Sequence, residues 1–160
     1  MNCKRSLFFY NSPLGRIAIA ENSEAITHLY FNREPGFPGA VPRETALLKE
    51  AALQLEQYFA GRRKTFELPL APEGTAFQLK VWQALQEIPY GQTRSYGQIA
   101  RAVGNEKAAR AVGMANNQNP ISIIIPCHRV IGADGKLVGY GGGLERKACL
   151  LELERRHAHR

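Results

Sequence analysis

The apolar positions of this chain follow two different rhythms. From residue 5 to 32 they come in short alternating runs broken by turn residues. Ser6–Tyr10 is followed by Asn11-Ser12-Pro13-Leu14-Gly15, then Arg16–Glu21, a second turn, and Ala25–Phe31. That pattern predicts antiparallel strands, because period two places one side of a strand in a core. Residues 33–42 hold three prolines and two glycines and predict a loop. From Thr45 to Ala60 the spacing changes to that of a helix, with Leu48, Ala51 and Ala52, Leu55, and Tyr58 and Phe59 on one face. Gly61 stands where a C-terminal cap belongs. Thr65–Leu68 reads as one more strand. This half is therefore expected to be a small α/β support domain, and its His28, among apolar neighbours, reads as structural.

Pro69-Leu70-Ala71-Pro72-Glu73-Gly74 interrupts both rhythms and predicts a boundary, with domains over 1–70 and 75–160 and a linker at 71–74. Beyond it the chain is mainly helical. Phe77, Val81 and Leu85 mark an amphipathic helix over Thr75–Ile88, which Pro89-Tyr90-Gly91 ends. Ser95 and Gln98 have the spacing of a capping box at the start of the next helix. Gly104-Asn105 then makes a break and an N-cap before a second helix, Lys107–Ala115, giving a helix-turn-helix rhythm. The second helix is built from Ala108, Ala109, Ala111, Gly113 and Ala115, so only Arg110 stands tall at its centre. Small residues allow close approach, either of a neighbouring helix or of nucleic acid. A last helix, Leu144–Arg156, carries Leu144, Ala148 and Leu151 as its apolar stripe. Glu154 follows Leu150 and Leu151 at helical spacing and projects among apolar side chains, where a carboxylate needs a partner.

Between these helices lies Asn119-Pro120-Ile121-Ser122-Ile123-Ile124-Ile125-Pro126-Cys127-His128-Arg129-Val130. The isoleucine run predicts a buried strand that Pro126 terminates. Such a strand would deliver Cys127 and His128 at the end of a rigid element. Neighbours on an extended chain point to opposite sides, so a direct Cys127–His128 hydrogen bond needs a turn, and otherwise a bridging water. Two readings stay open at this level: a buried structural cysteine beside a core histidine, or a thiolate nucleophile with its base, Glu154 being the candidate partner of that histidine.

The bulk properties narrow the field. With 160 residues and 44% hydrophobic content, the chain can bury one core or two small ones. No apolar run reaches the length of a membrane span, and the charged Met1–Arg5 start followed by a short apolar patch does not resemble a signal peptide. Three widely spaced cysteines (Cys3, Cys127, Cys149) form neither a disulfide framework nor a metal knuckle, which suits a reducing, cytoplasmic setting. Cys149, beside Leu150, reads as a small hydrophobe. His157 and His159 lie in a polar tail expected to be solvated. A net charge of +7 favours a polyanionic partner.

The segment Asn119–Gly132, followed by Gly139-Tyr140-Gly141-Gly142-Gly143-Leu144, closely resembles the active-site segment of the O6-alkylguanine-DNA alkyltransferases. Further matching pieces are Phe77-x-x-x-Val81-Trp82, Ile88-Pro89-Tyr90-Gly91, Ser95-Tyr96 and Lys107–Gly113. The first half matches more loosely, in Ser12–Gly15 and Tyr58–Gly61. The resemblance implies a ribonuclease-H-like support domain and a winged-helix-like catalytic domain. It implies single-turnover repair of double-stranded DNA bound through the minor groove, with the alkyl group of O6-alkylguanine passed to cysteine and O4-alkylthymine a possible second substrate. Carried over by position, Cys127 is the acceptor, His128 a base acting through water, and Glu154 its orienting partner. Asn119 braces the turn before the active-site strand. Arg110 fills the gap left by the flipped base, Tyr96 faces that base, and Ala109 and Gly113 line the DNA surface. Arg129, Val130, Tyr140 and Gly141 belong to the base-binding wall. Where some members have serine, this chain has Gly141, which leaves a backbone N–H as the donor. The resemblance implies no metal or cofactor, no membrane, and a nucleoid-associated monomer, with cooperative assembly on DNA left open.

Two other classes compete. A cysteine hydrolase would turn over repeatedly and would not need the helix pair. A non-enzymatic DNA-binding module, including the alkyltransferase-like proteins, would not need Cys127.

Overall fold

A computed structural model describes residues 5–31, 39–140 and 143–159. The chain forms two compact units, residues 1–73 and 74–160. Among the described residues, no helix is long and apolar enough to cross a membrane.

In the first unit, β1 (Arg5–Ser12), β2 (Gly15–Glu21) and β3 (Ile26–Phe31) form an antiparallel meander. A short β4 (Ala40–Pro42), inside the stretch expected to be loop, adds to β1 in parallel and gives the order β3-β2-β1-β4. Gly15, at φ 118, makes the tight β1–β2 turn that a side chain would oppose. Helix α1 (Ala46–Phe59) is capped by the Thr45 hydroxyl, which accepts from the Leu48 N–H, and is followed by Gly61 at φ 77. Its Leu48, Ala51, Leu55 and Tyr58 are buried, as their spacing predicts. Full burial of each large aliphatic side chain contributes about 1.5–3 kcal/mol.

Thr65–Leu68 is not a strand. The buried Gln54 replaces a strand partner there: its Nε2 donates to the Glu67 carbonyl at 3.2 Å and its Oε1 accepts the Glu67 N–H at 2.9 Å. One glutamine thus satisfies a backbone that β-propensity assigns to a sheet. Among the described residues, the ladder contact in this stretch is a parallel bridge between Leu70 and Ile26, supported by bonds from Ile26 N–H to Pro69 and from Ala71 N–H to Ile26.

The second unit begins with α2 (Ala76–Gln86), held at its start by a capping box between Thr75 and Gln78. Then come β5 (Arg94–Ser95) and α3 (Tyr96–Ala102), the latter closed by the predicted Ser95–Gln98 box. Helix α4 (Ala109–Asn117) starts two residues later than expected and has no side-chain cap. Asn105 instead closes a turn, its side chain accepting the Lys107 N–H and its carbonyl the Ala108 N–H. A short β6 (Val130–Ile131) pairs with β5 in parallel. Helix α5 (Leu144–His157) ends the unit. The charge is unequally shared: residues 74–160 hold 12 of the 21 Lys and Arg but 6 of the 14 Asp and Glu, a formal +6 against +1 for residues 1–73.

The buried face of α5 corrects the predicted stripe. Leu144 is 49% exposed and Ala148 is exposed, whereas Lys147, Leu150, Leu153 and Glu154 are buried. Hydrophobicity alone selects the wrong side, because two of the four inward positions carry charge.

Candidate active site

The expected strand over Ile121–Ile125 is a buried turn. The Ile125 N–H reaches back to the Ile121 carbonyl at 3.0 Å and the Ile124 N–H to the Ser122 carbonyl at 2.8 Å. Ile123 takes φ 71, a left-handed conformation that a β-branched residue resists at a cost of about 1–3 kcal/mol. Asn119 holds the turn shut. Its Nδ2 donates to the Ile125 carbonyl at 2.7 Å, and its Oδ1 accepts the Ile121 N–H at 3.0 Å. The isoleucines are buried as a strand's would be, but asparagine satisfies the backbone where a neighbouring strand otherwise would.

After Pro126, Cys127–Arg129 forms one turn of 3₁₀ helix. It rotates successive side chains by about a third of a turn, so Cys127, His128 and Arg129 leave the backbone in different directions. All three are buried, at 3%, 0% and 7% exposure.

His128 and Arg129 converge on Glu154. The His128 Nε2 lies 2.6 Å from Glu154 Oε2. Arg129 donates Nε to Oε1 at 2.8 Å and its second terminal nitrogen to Oε2 at 3.0 Å. A fourth donor, the Gly91 N–H, reaches Oε1 at 3.1 Å. Gly91 has φ 79, and a β-carbon there would meet Ala158 at 2.8 Å, so only glycine supplies this N–H. Burial alone raises the Glu154 carboxyl, but His128 and Arg129 outweigh it and hold the group down at about 2. Burial lowers His128 below its ordinary value, more than Glu154 raises it. The imidazole is thus neutral near pH 7 and donates Nε2–H to a permanent anion. That tautomer leaves Nδ1 as an acceptor, fully buried and without a hydrogen-bond partner among the described residues.

Burial pushes the Cys127 thiol up to about 11, against the opposing pull of the Asn119 side chain and the Lys147 charge. Lys147 is itself fully buried on α5. Its Nζ donates to the Val138 carbonyl at 2.8 Å and approaches that of Gly139 at 3.5 Å. Tyr96 donates its hydroxyl to the same Val138 carbonyl at 2.8 Å, so two side chains fasten the backbone leading to Tyr140. Burial raises the Tyr96 hydroxyl, with the Cys127 charge adding to the shift. Tyr140 is 8% exposed, and its hydroxyl lies beside Ser122 without a hydrogen bond of ordinary geometry.

The second unit therefore brings Cys127, His128, Glu154, Asn119, Tyr96 and Tyr140 into one neighbourhood. Val130 is fully buried in the β5–β6 pair. Arg110 is exposed on α4, with Ala109 and Gly113 half-buried beside it. Gly141 and Cys3 lie outside the described residues. Arg129 requires a correction: its guanidinium is spent on Glu154 and on the Ile88 carbonyl, 2.7 Å from its first terminal nitrogen, so it does not offer itself to a base or phosphate. Cys149, expected to pack as a small hydrophobe, is exposed. Sequence reading missed Lys147, Asn116 and Gly91. The available signals were the spacing of Lys147, seven residues before Glu154 on one helix face, and the glycine of Pro89-Tyr90-Gly91.

Two family models cover the chain. One, described as the 6-O-methylguanine DNA methyltransferase ribonuclease-like domain, matches residues 8–72, and the other, the DNA-binding domain of the same enzyme, matches residues 76–156. A methylated-DNA–protein-cysteine methyltransferase of Methanosarcina acetivorans is 53% identical over 148 residues, covering 91% of this chain and 95% of that protein. The constitutive enzyme of that name from Bacillus subtilis is 52% identical over 151 residues, covering 90% and 92%. Among solved structures, the Mycobacterium tuberculosis OGT in complex with DNA superposes with a TM-score of 0.91 at 48% identity, covering 95% of this chain and 94% of that one.

Proposed function

The chain belongs to the 6-O-methylguanine DNA methyltransferase family, and from that premise we propose that Cys127 is the residue that takes the alkyl group from DNA. The protein is a methylated-DNA–protein-cysteine methyltransferase that binds DNA and repairs it by alkyl transfer. Its substrate is O6-alkylguanine in duplex DNA, approached through the minor groove, and its folds are the ribonuclease-H-like and winged-helix types. The observation that carries the assignment of residues is the buried His128–Glu154–Arg129 network adjoining Cys127.

In the reaction, the Cys127 proton leaves through a bridging water to His128 Nδ1, the one ring position without a partner. Nε2–H stays on Glu154, whose fixed negative charge stabilises the imidazolium that forms. The thiolate sulfur attacks the sp³ carbon of the alkyl group. A C–S bond forms, the C–O6 bond breaks, its electron pair goes to guanine, and the base gains, by way of water, the proton that His128 took from Cys127. Lys147 favours the thiolate by charge and, with Tyr96, holds the Val138–Tyr140 backbone as one wall of the base site. Arg110 enters the stack in place of the flipped base and offsets part of the few kcal/mol that flipping costs. The half-buried Ala109 and Gly113 let α4 approach the groove closely. The protein acts as a monomer in the cytoplasm.

Incubation with an O6-methylguanine duplex, followed by peptide mass analysis, tests this assignment. A gain of one methyl on the Cys127 peptide is expected in the wild type and no gain in Cys127→Ser, with DNA binding retained. Methyl on Cys149, or transfer by Cys127→Ser, overturns it.

A further inference from the structure

Asn116 lies at the inner face of α4 and is 2% exposed. Its Nδ2 donates to the carbonyl of Cys127 itself, at 3.2 Å. That carbonyl also accepts the Val130 N–H, which closes the 3₁₀ turn. Both lone pairs of the Cys127 carbonyl are therefore engaged, one by backbone and one by this side chain. On the other side, the Cys127 N–H donates to the Ile125 carbonyl at 2.8 Å, the same oxygen that Asn119 holds at 2.7 Å. The two peptide groups flanking the cysteine are thus each tied to an asparagine, directly on one side and through a shared carbonyl on the other.

The second half of the Asn116 amide is the informative part. Its Oδ1 is fully buried and has no hydrogen-bond partner among the described residues. A buried acceptor left unpaired is destabilising, and an apolar side chain of the same size would remove the penalty. Exchanging the amide's oxygen and nitrogen does not help, since it would set oxygen against the Cys127 carbonyl. Stability alone therefore disfavours asparagine here.

We propose that Asn116 is a positioning residue for alkyl transfer, fixing the Cys127 peptide so that the sulfur is held in its attacking orientation. The inference rests on Cys127 being the acceptor. It also gives α4 a direct tie to the nucleophile: one residue before Asn116, the Ala115 carbonyl accepts the buried Trp82 Nε1–H at 2.8 Å, which anchors that end of the helix to α2. Asn116 is held in register by this anchor, and through it so is the Cys127 carbonyl.

The test compares Asn116→Leu and Asn116→Asp with wild type in single-turnover transfer from free O6-benzylguanine, which needs no base flipping, and from an O6-methylguanine duplex. Losing the amide donor should slow the maximal rate on both substrates by about tenfold, the equivalent of one hydrogen bond realised in the transition state. The half-saturating concentration of O6-benzylguanine and the Kd for undamaged duplex should not change. Asn116→Leu should melt at or above the wild-type Tm, because the orphaned acceptor is gone. Asn116→Asp, which has the same shape and no donor at neutral pH, should be at least as slow as Asn116→Leu, so a folding defect in one variant does not decide the matter. Wild-type maximal rates in both variants, or losses that merely track a lower folded fraction, overturn the proposal. Failure of the wild type to label Cys127 in the same assay would instead sink the acceptor assignment.

Discussion

One carboxylate, Glu154, takes four donors from two separate segments: His128 and Arg129 after the turn, and Gly91 after α2. Its fixed charge has consequences for stability as well as chemistry. The Glu154 pKa is depressed from 4.5 to about 2, so its contribution is present above pH 4.5 and is lost as pH falls toward 2. His128, lowered from 6.5 by burial, acts in the same direction, because the unfolded chain takes up its proton first. Tm should therefore decline as pH falls below about 6.5 and again below 4.5, and a Glu154→Gln variant should lack most of the second decline in a calorimetric pH series. Arg129→Met separates a packing role from a DNA role. It leaves the carboxylate short of its main charge partner, at a cost of about 3–5 kcal/mol, while the salt dependence of DNA binding should be unchanged. A lower salt slope with an unaltered Tm would restore Arg129 to the DNA surface. Glu154 was legible in the sequence because helical spacing set a carboxylate among leucines. Arg129 was legible only as a charge, since nothing in a linear pattern says which way a guanidinium turns after a 3₁₀ turn.

At the level of elements, periodicity identified the helices and caps well and the backbone of the active-site segment poorly. Ser95 and Gly61 fall where the capping rules put them, because those rules describe local hydrogen bonds. Ile121–Ile125 and Thr65–Leu68 defeat the same reasoning. In both, a side-chain amide satisfies backbone groups that β-rich composition assigns to a ladder, Asn119 from just before the turn and Gln54 from thirteen residues upstream. Helix α4 shows how an element's surface can be read when its residues are small. Arg110 is its exposed long cation, and the Met114 side chain, 62% exposed, lies one turn further along. Arg110→Ala should lower the salt slope of duplex binding by about 1. It should also slow repair of a duplex far more than reaction with free O6-benzylguanine. Equal losses on the two substrates, measured as single-turnover rates, would remove Arg110 from the base-flipping step.

For the molecule as a whole, the +6 carried by residues 74–160 agrees with the DNA-binding model matched over residues 76–156. Composition gave the sign of the partner, and the cysteine segment gave the chemistry. The chemistry also fixes how much each molecule can do. Transfer to the proposed acceptor, Cys127, yields a thioether, whose C–S bond water does not readily cleave at neutral pH. Regeneration would need a second nucleophile at the alkyl carbon, expelling the Cys127 thiolate. Cys149 is exposed, whereas Cys127 is 3% exposed. His128 Nδ1 is an acceptor for a proton and its ring is held against Glu154, so it does not remove an alkyl group from sulfur and restore itself. Each protein molecule should therefore repair one lesion. With O6-methylguanine duplex in excess, repaired DNA should rise to one equivalent of active protein and stop, and adding fresh protein should restart the reaction by one further equivalent. Cys149→Ser should give the same plateau. A wild-type reaction that continues past one equivalent would require a hydrolytic step at Cys127 and return the cysteine hydrolase reading to first place.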